Sequence, residues 1–543
     1  LPVLTLKTAN GDCHMDFLPG ESLREILDAT DYRVRSGCRG TGACGLCRVL
    51  IEAEETDEPT LAEHFHLSAD QIASGVRLAC QVRPKGNLEV LILSPTPASS
   101  WKTITSASRG CVHFEAFPAC PPLNLPRGSK HAYGVAVDLG TTHISLSLYD
   151  LSTGKWLTGR HGLNPQAVYG SDVMTRLMAA CESLEPARAM RRQIIDAVGG
   201  ALADVATREG IGTEQVVRVV LVGNTAMLAL LSGRNAHLLL QPAHWMRPID
   251  CLPDNYDELA QGWEIHPKAL MEILPPLGGF VGSDLTAGAL ATRLIENGPG
   301  SLLIDFGTNS EIALWDGEVL WVTSAAGGPA FEGCGISCGV SAESGAIYRV
   351  RSRNGHESGF AFSTINGGSP TGLCGSGIVD LIACLVESGK LTGMGRFAPD
   401  VPKDGIVLLD EGHKLILTKN DVDIFQRAKG AVSAAVGELL SKARMRCADL
   451  RHVYVGGAFG HFLNRAGAVR IGLLPNVGVD IIHLCGNTAL AGCEYHLMSP
   501  DSVEALKKIT ARARIINLSR SADFEDLFLE GLYLQPLMTA GEV

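Results

Sequence analysis

A chain of 543 residues has room for about three or four folding units, and its 46% hydrophobic and 19% charged residues describe an ordinary globular protein rather than a disordered or fibrous one. A formal net charge of -12 excludes a general nucleic-acid binder, which needs a basic face to release counterions from phosphates. No apolar run reaches the roughly 18 to 20 residues that cross a bilayer, and "LPVLTLKTANGDCH" has no basic segment followed by an apolar one, so a cytoplasmic protein that engages neither membrane nor nucleic acid is expected.

The first hundred residues read as a small sheet curled over a helix. "PVLTLKT" alternates, "NGD" turns, and "CHMDFLPG" returns, giving a hairpin. "ESLREILDATD" predicts a short helix with Ser22 and Glu25 as a capping box. "CRVLIEAEE", "VRLACQVRP" and "NLEVLIL" predict further strands, with a short helix in "TLAEHFHLSADQIASG".

Between the first helix and the third strand stands "CRGTGACGLC", starting at residue 38. Cys38, Cys44, Cys47 and the distant Cys80 supply the four thiolates of a 2Fe-2S cluster, and Gly37, Gly40, Gly42 and Gly45 let backbone N-H groups approach inorganic sulfide. Zinc is the alternative, but zinc sites usually use two C-x-x-C pairs and only Cys44 and Cys47 form one, so the iron-sulfur reading is expected. The loop resembles the 2Fe-2S ferredoxins of the plant and adrenodoxin type, which implies a β-grasp domain over residues 1–94. Cys13 is expected to be a spare core thiol, and Arg33, Arg35, Arg39 and Arg48 either screen the cluster or form a docking patch for an acidic redox partner.

Residues 95–131, rich in Pro, Ser and Thr without periodicity, are expected to be a linker. A duplicated hairpin follows. "YGVAVDLGTTHISLSLYD" and "SLLIDFGTNSEIALWDG" each run as an apolar strand to an Asp, turn through Gly-Thr and return. Gly140 and Gly307 permit close approach of phosphate, Thr141, Thr142, Thr308 and Asn309 supply donors, and Asp138 and Asp305 are the candidate catalytic carboxylates that hold Mg through water. A third turn, in "HVYVGGAFGHFLNR", offers Gly456 and Gly457 to an adenine or ribose. These three elements resemble the superfamily of acetate and sugar kinases, heat-shock ATPases and actin. The resemblance implies two ribonuclease-H-like lobes, roughly 132–300 and 301–500, with ATP between them and a C-terminal extension over 501–543.

"NPQAVYGSDVMTR", "LVGNTAM", "GGFVGSDLTAGAL", "SAAGGPAFEGCGISCG", "GLCGSGIVDLIA" and "GNTALAGC" complete the pattern. Together with the hairpins and the cysteine loop they resemble the reductive activators of corrinoid proteins. That resemblance implies ATP-dependent, one-electron reduction of Co(II) to Co(I) in the corrinoid protein of a methyltransferase system. It also implies an upstream ferredoxin or flavoprotein donor and a homodimer. Many relatives are expected to carry an extra small middle domain, where this chain passes from the linker straight into "YGVAVDLG". Ser324 with "AAGGPAFEG" is either a contact to the corrinoid protein or a packed interlobe turn. Cys334, Cys338 and Cys374 are expected to be core thiols, and His64, His66 and His452 surface or turn residues. Electron delivery to a 2-hydroxyacyl-CoA dehydratase and a small-molecule kinase fused to a ferredoxin are the rival readings.

Overall fold

The computed structural model describes residues 2–93, 101–104, 109 and 132–537, except positions 9–10, 29, 31, 33, 35–39, 43–44, 46, 54–56, 171, 328, 334, 343–344, 353–358, 410–414, 458 and 460–461. Cys38, Cys44, Cys334, Arg33, Arg35 and Arg39 therefore lie outside the described residues.

The N-terminal part is a five-stranded sheet of order β2-β1-β5-β3-β4, built from β1 (Val3–Thr8), β2 (Gly11–Asp16), β3 (Arg48–Ala53), β4 (Val76–Leu78) and β5 (Leu88–Ile92). Helix α1 (Leu23–Asp28) crosses it and buries Leu23, Ile26 and Leu27 against Leu4, Leu6 and Val90. The expected capping box forms: Ser22 N donates to Glu25 at 2.8 Å and Glu25 N donates to Ser22 Oγ at 3.3 Å. Two further short helices, α2 (Leu61–His66) and α3 (Ala69–Ala73), carry their own capping boxes at Thr60 and Ser68.

Beyond it stand two lobes with one plan. In the first, the strand Leu270–Ile273, β10 (Val216–Gly223), β7 (Tyr133–Leu139), β8 (His143–Asp150) and β9 (Lys155–Leu163) lie side by side in that order. In the second, Ile482–Gly486, His452–Gly457, β12 (Ser301–Phe306), β13 (Ser310–Trp315) and β14 (Leu320–Ala325) repeat it. The central strand of each lobe pairs parallel to one side and antiparallel to the other, so the duplicated hairpins occupy equivalent places. All seven residues of β7 are buried, as expected of an apolar strand with helices on both faces.

The sixth strand differs between the lobes. In the first it is β6 (Lys102–Thr103), antiparallel to β9. In the second it is Ala513–Ile515, parallel to β14. Part of the expected linker is thus woven into the first lobe. Trp101 packs on Gly162, where an added Cβ would lie 2.7 Å from its ring. Arg109 lies over the Trp156 ring at 4.4 Å and donates to Glu494 at 2.8 Å. Residues of the C-terminal extension likewise close the second lobe, where buried Lys429 donates to the carbonyls of Gly531 and Tyr533 at 2.8 and 2.6 Å.

Two helices cross between the lobes, Ser283–Ala291 and Thr488–Met498. They meet so closely that a Cβ on Gly492 would lie 1.9 Å from the carbonyl of Ala287. The N-terminal domain contacts the first lobe through α1 and the end of α5 (Leu184–Glu209): Arg24 donates to Glu209 at 2.7 Å and Arg208 pairs with Asp28, all four side chains being buried.

Candidate functional site

The two hairpins face each other across the cleft and touch. Thr142 and Thr308 place their hydroxyl oxygens 2.9 Å apart, and each lies 3.0 Å from the same Oε2 of Glu332. Gly140 has no room for a side chain, since a Cβ would sit 2.5 Å from the carbonyl of His143. Gly307 is less confined, with Asn309 O at 3.2 Å from that position; Asn309 accepts from Gly307 N through this carbonyl at 3.1 Å. Arg176, buried on helix α4 (Val173–Glu182), donates to the carbonyls of Thr141 and Gly170 at 2.7 and 2.8 Å and so fixes the first turn. Burial holds its guanidinium down to about 10.

Asp138 and Asp305 end their strands at the floor of this cleft. Burial pushes Asp138 up to about 7, against a hydrogen bond from Asn487, with the charges of Asp284 and Asp305 adding to the rise. Asp305 is pushed up to about 6 by burial, against a hydrogen bond from Thr488. Asp284 and Glu311, which sequence reasoning did not single out, are hydrogen-bonded to each other, and burial raises both, Glu311 well above the ordinary carboxylate range. Two buried carboxyls, Asp138 and Glu311, and two half-buried ones, Asp284 and Asp305, thus gather at this floor.

Two asparagines complete the floor. Asn224 precedes α6 (Thr225–Ser232) and Asn487 precedes Thr488–Met498; each side-chain oxygen caps its helix, accepting from Met227 N at 3.0 Å and Leu490 N at 2.7 Å. Each amide nitrogen then points into the cleft, to Thr141 Oγ1 at 2.8 Å and Asp138 Oδ2 at 2.7 Å. Thr488 donates to Asp305 at 2.7 Å. The signal for these residues is in the sequence as a repeated Gly-Asn-Thr, at 223–225 and 486–488, each at the junction of an apolar strand and a helix.

The third glycine turn belongs to the floor as well. Gly457 has φ +82°, and a Cβ there would lie 2.0 Å from Phe306 O, while one on Gly456 would lie 2.8 Å from Thr488 Oγ1. Both glycines therefore let this turn press against the second hairpin. Phe459 stacks edge-on to Phe306 at 4.8 Å and carries the contact onward to Phe331 at 5.5 Å.

In the N-terminal domain Cys47 and Cys80 are buried and hydrogen-bonded to each other. The Cys80 thiol is lowered to about 6 by that bond first, with Gln81, Arg24 and the Gly42 N-H adding to it against burial. Gln81 Nε2 lies 3.5 Å from Cys80 Sγ. Gly40, Gly42 and Gly45 have φ of +86°, +84° and +63°, so the loop follows a path open to glycine. His66 does more than an ordinary surface residue: a Cβ on Gly45 would lie 2.6 Å from its ring. Arg48 ties the loop down, donating to the carbonyls of Gly45 and His66 at 3.1 and 3.4 Å. Converging thiols, N-H donors and left-handed glycines fit a cluster bound by thiolates. Cys338 and Cys374 are buried core thiols, Cys338 pushed up to about 12 by burial. Among the described residues no group of three or more His, Cys, Asp and Glu is arranged to hold a metal ion, and no helix is long and apolar enough to cross a membrane.

Comparison with known proteins agrees with this geometry part by part. The model of a 2Fe-2S iron-sulfur cluster binding domain matches residues 8–85, that of the RACo middle region residues 133–297, and that of the C-terminal (ASKHA) domain of RACo residues 300–540. The corrinoid activation enzyme RamQ of Eubacterium limosum is 31% identical over 430 residues, covering 74% of this chain and 70% of that protein. The chain belongs to the corrinoid activation family. A second member, the [Co(II) methylated amine-specific corrinoid protein] reductase of Methanosarcina barkeri, is 27% identical over 438 residues, covering 73% and 76% of the two chains. The solved reductive activator for corrinoid, iron-sulfur protein shares the fold, with a TM-score of 0.66 at 24% identity over 99% of both chains. The expected lack of a middle domain is corrected by these matches. The family's middle region is the first lobe itself, and the solved relative is spanned from end to end.

Proposed function

We propose that this member of the family uses ATP to drive one-electron reduction of Co(II) to Co(I) in the corrinoid protein of a methyltransferase system. The observation that carries this reading is the contact of Thr142 with Thr308 above the carboxyls of Asp138 and Asp305, in the same chain as the converging Cys47 and Cys80. The hairpins would grip phosphate, with Asp138 and Asp305 holding Mg. Cys38, Cys44, Cys47 and Cys80 would hold a 2Fe-2S cluster, which supplies a single electron near about -400 mV if it behaves as the plant-type clusters do. The Co(II)/Co(I) couple is expected to lie lower, and each shortfall of about 59 mV costs a factor of ten, so nucleotide binding must favour a conformation that offsets it.

The chain's own residues supply that coupling. Arg176 and the two capping asparagines orient the hairpin turns, and the crossing helices carry Asn487 and Thr488 from one lobe to the carboxyls of both. A change in phosphate occupancy is thus felt in both lobes at once. An upstream ferredoxin or flavoprotein donor, a homodimer and a cytoplasmic setting complete the proposal.

The test mixes the reduced protein anaerobically with a Co(II) corrinoid methyltransferase subunit and follows Co(I) absorbance with and without Mg-ATP. Co(I) that requires ATP and is lost in Cys80→Ser and Asp305→Ala is expected. No Co(I) with several corrinoid partners, despite an intact cluster and ATP turnover, would overturn the reading in favour of dehydratase activation. A phosphorylated small-molecule product would favour the kinase.

A further inference from the structure

We infer that Glu332 senses the terminal phosphate of ATP: its carboxylate stands between the two hairpins, in the place this phosphate takes on binding. The inference rests on the reading of the cleft as an ATP site.

Glu332 ends a tight turn, Pro329–Glu332, that follows β14. Its Oε2 lies 3.0 Å from one hydroxyl of each hairpin, and those hydroxyls are 2.9 Å apart. With the carboxyl ionised, three oxygens in a triangle share only two hydroxyl protons, so at least one threonine donates to the carboxylate and neither proton is left over for another acceptor. An anionic oxygen with one hydroxyl from each lobe is also what a phosphate gripped by both hairpins would present. Arg176, the cation near this carboxylate, is already engaged with backbone carbonyls. A bound terminal phosphate and the carboxylate cannot both use Thr142 and Thr308, and like charges at such distances repel. Entry of the phosphate therefore turns Glu332 out.

The neighbouring residue decides where this movement goes. Phe331 is wedged between Phe306, Phe459 and Phe425, with ring centroids 5.5, 5.5 and 6.1 Å away. Its carbonyl would lie 1.9 Å from a Cβ on Gly375, at the start of the helix Gly375–Glu387. Phe331 is thus held from several sides and acts as a pivot. On the other side of Glu332, Gly333 and Gly335 have φ of +82° and +80°, conformations that glycine enters and leaves at little cost. The displacement passes forward into residues 335–342 rather than back into β14. ADP, which lacks the terminal phosphate, leaves Glu332 in place.

The test titrates the full-length protein with the Mg complexes of ADP and of AMP-PNP, a non-hydrolysable ATP analogue, and measures hydrogen exchange over residues 335–342. Glu332→Gln keeps the shape and removes the charge. It is expected to bind AMP-PNP about tenfold tighter, equivalent to about 1.4 kcal/mol, with ADP affinity within about twofold of the parent. In the parent, AMP-PNP but not ADP is expected to change exchange over 335–342; in Glu332→Gln that difference disappears. If Glu332→Gln does not fold, Glu332→Asp, one methylene too short to reach both hydroxyls, is expected to show the same order of effects. AMP-PNP affinity that is unchanged or weaker, an equal effect on both nucleotides, or exchange over 335–342 that ignores AMP-PNP in the parent would each overturn the inference. Failure of the parent to bind either nucleotide would instead remove the ATP reading, and the inference with it.

Discussion

Asn487, from a helix that starts in the second lobe, donates to Asp138 at the end of a first-lobe strand at 2.7 Å, while its oxygen caps its own helix. One side chain therefore couples a helix end to the carboxyl proposed to hold Mg. Asn487→Ala removes both bonds and is expected to lower stability by about 2 kcal/mol and to abolish ATP turnover. Asn487→Asp keeps the cap but opposes two carboxyls. It should retain most of the stability yet lose Mg-ATP affinity, which thermal melts and nucleotide titration will separate.

The raised carboxyls set a pH dependence in the metal-free protein. Asp138 and Asp305 move up from an ordinary 3.8 to about 7 and about 6, so the folded state binds protons that the unfolded chain has released. Their contribution to stability is fully present below about pH 4 and is lost as pH rises through 6 to 7. The thermal midpoint without Mg and nucleotide should therefore fall between pH 5 and pH 8. Asp138→Asn is expected to flatten that fall, and saturating Mg-ATP to oppose it.

The glycines of the two turns differ in a way that substitution will reveal. Gly457→Ala meets both a left-handed backbone and Phe306 O at 2.0 Å, and should cost about 3 kcal/mol or more. Gly307→Ala meets only Asn309 O at 3.2 Å. It should cost about 1 kcal/mol at most while weakening ATP through the methyl group now facing phosphate. Chemical denaturation and nucleotide titration check the pair.

Gln81 is the side chain to alter at the cysteine loop. Its amide lies 3.5 Å from Cys80 Sγ, and donors to a ligating sulfur raise the reduction potential. Gln81→Leu should leave the visible spectrum of the reduced and oxidised protein in place and lower the midpoint potential in a redox titration. Cys80→Ser should lose or change the spectrum itself.

Much of this was legible before any fold was seen, because short-range chemistry announces itself. The Ser22 and Glu25 capping box and the Asp-x-Gly-Thr hairpins rest on spacings of a few residues. The cleft's remaining parts depend on contacts between distant segments. Glu332 meets Thr142 across 190 positions, and Asn487 meets Asp138 across 349. No local pattern marks Glu332, and the Gly-Asn-Thr that marks Asn487 does not disclose its distant partner. The region after residue 95 misleads for a related reason: its composition is that of a linker, but Trp101 and Arg109 find buried partners only in the folded lobe.

That anchoring sets the length of a leash. Leu93 ends the described part of the N-terminal domain and Trp101 is already fastened to the first lobe, eight residues later. At about 3.5 Å per residue, a domain released from the Arg24 and Glu209 contact keeps Leu93 within about 28 Å of Trp101. Such confinement corresponds to a millimolar local concentration. The electron carrier's range is that tether plus the width of its own domain, so any partner it serves must come to it within that reach.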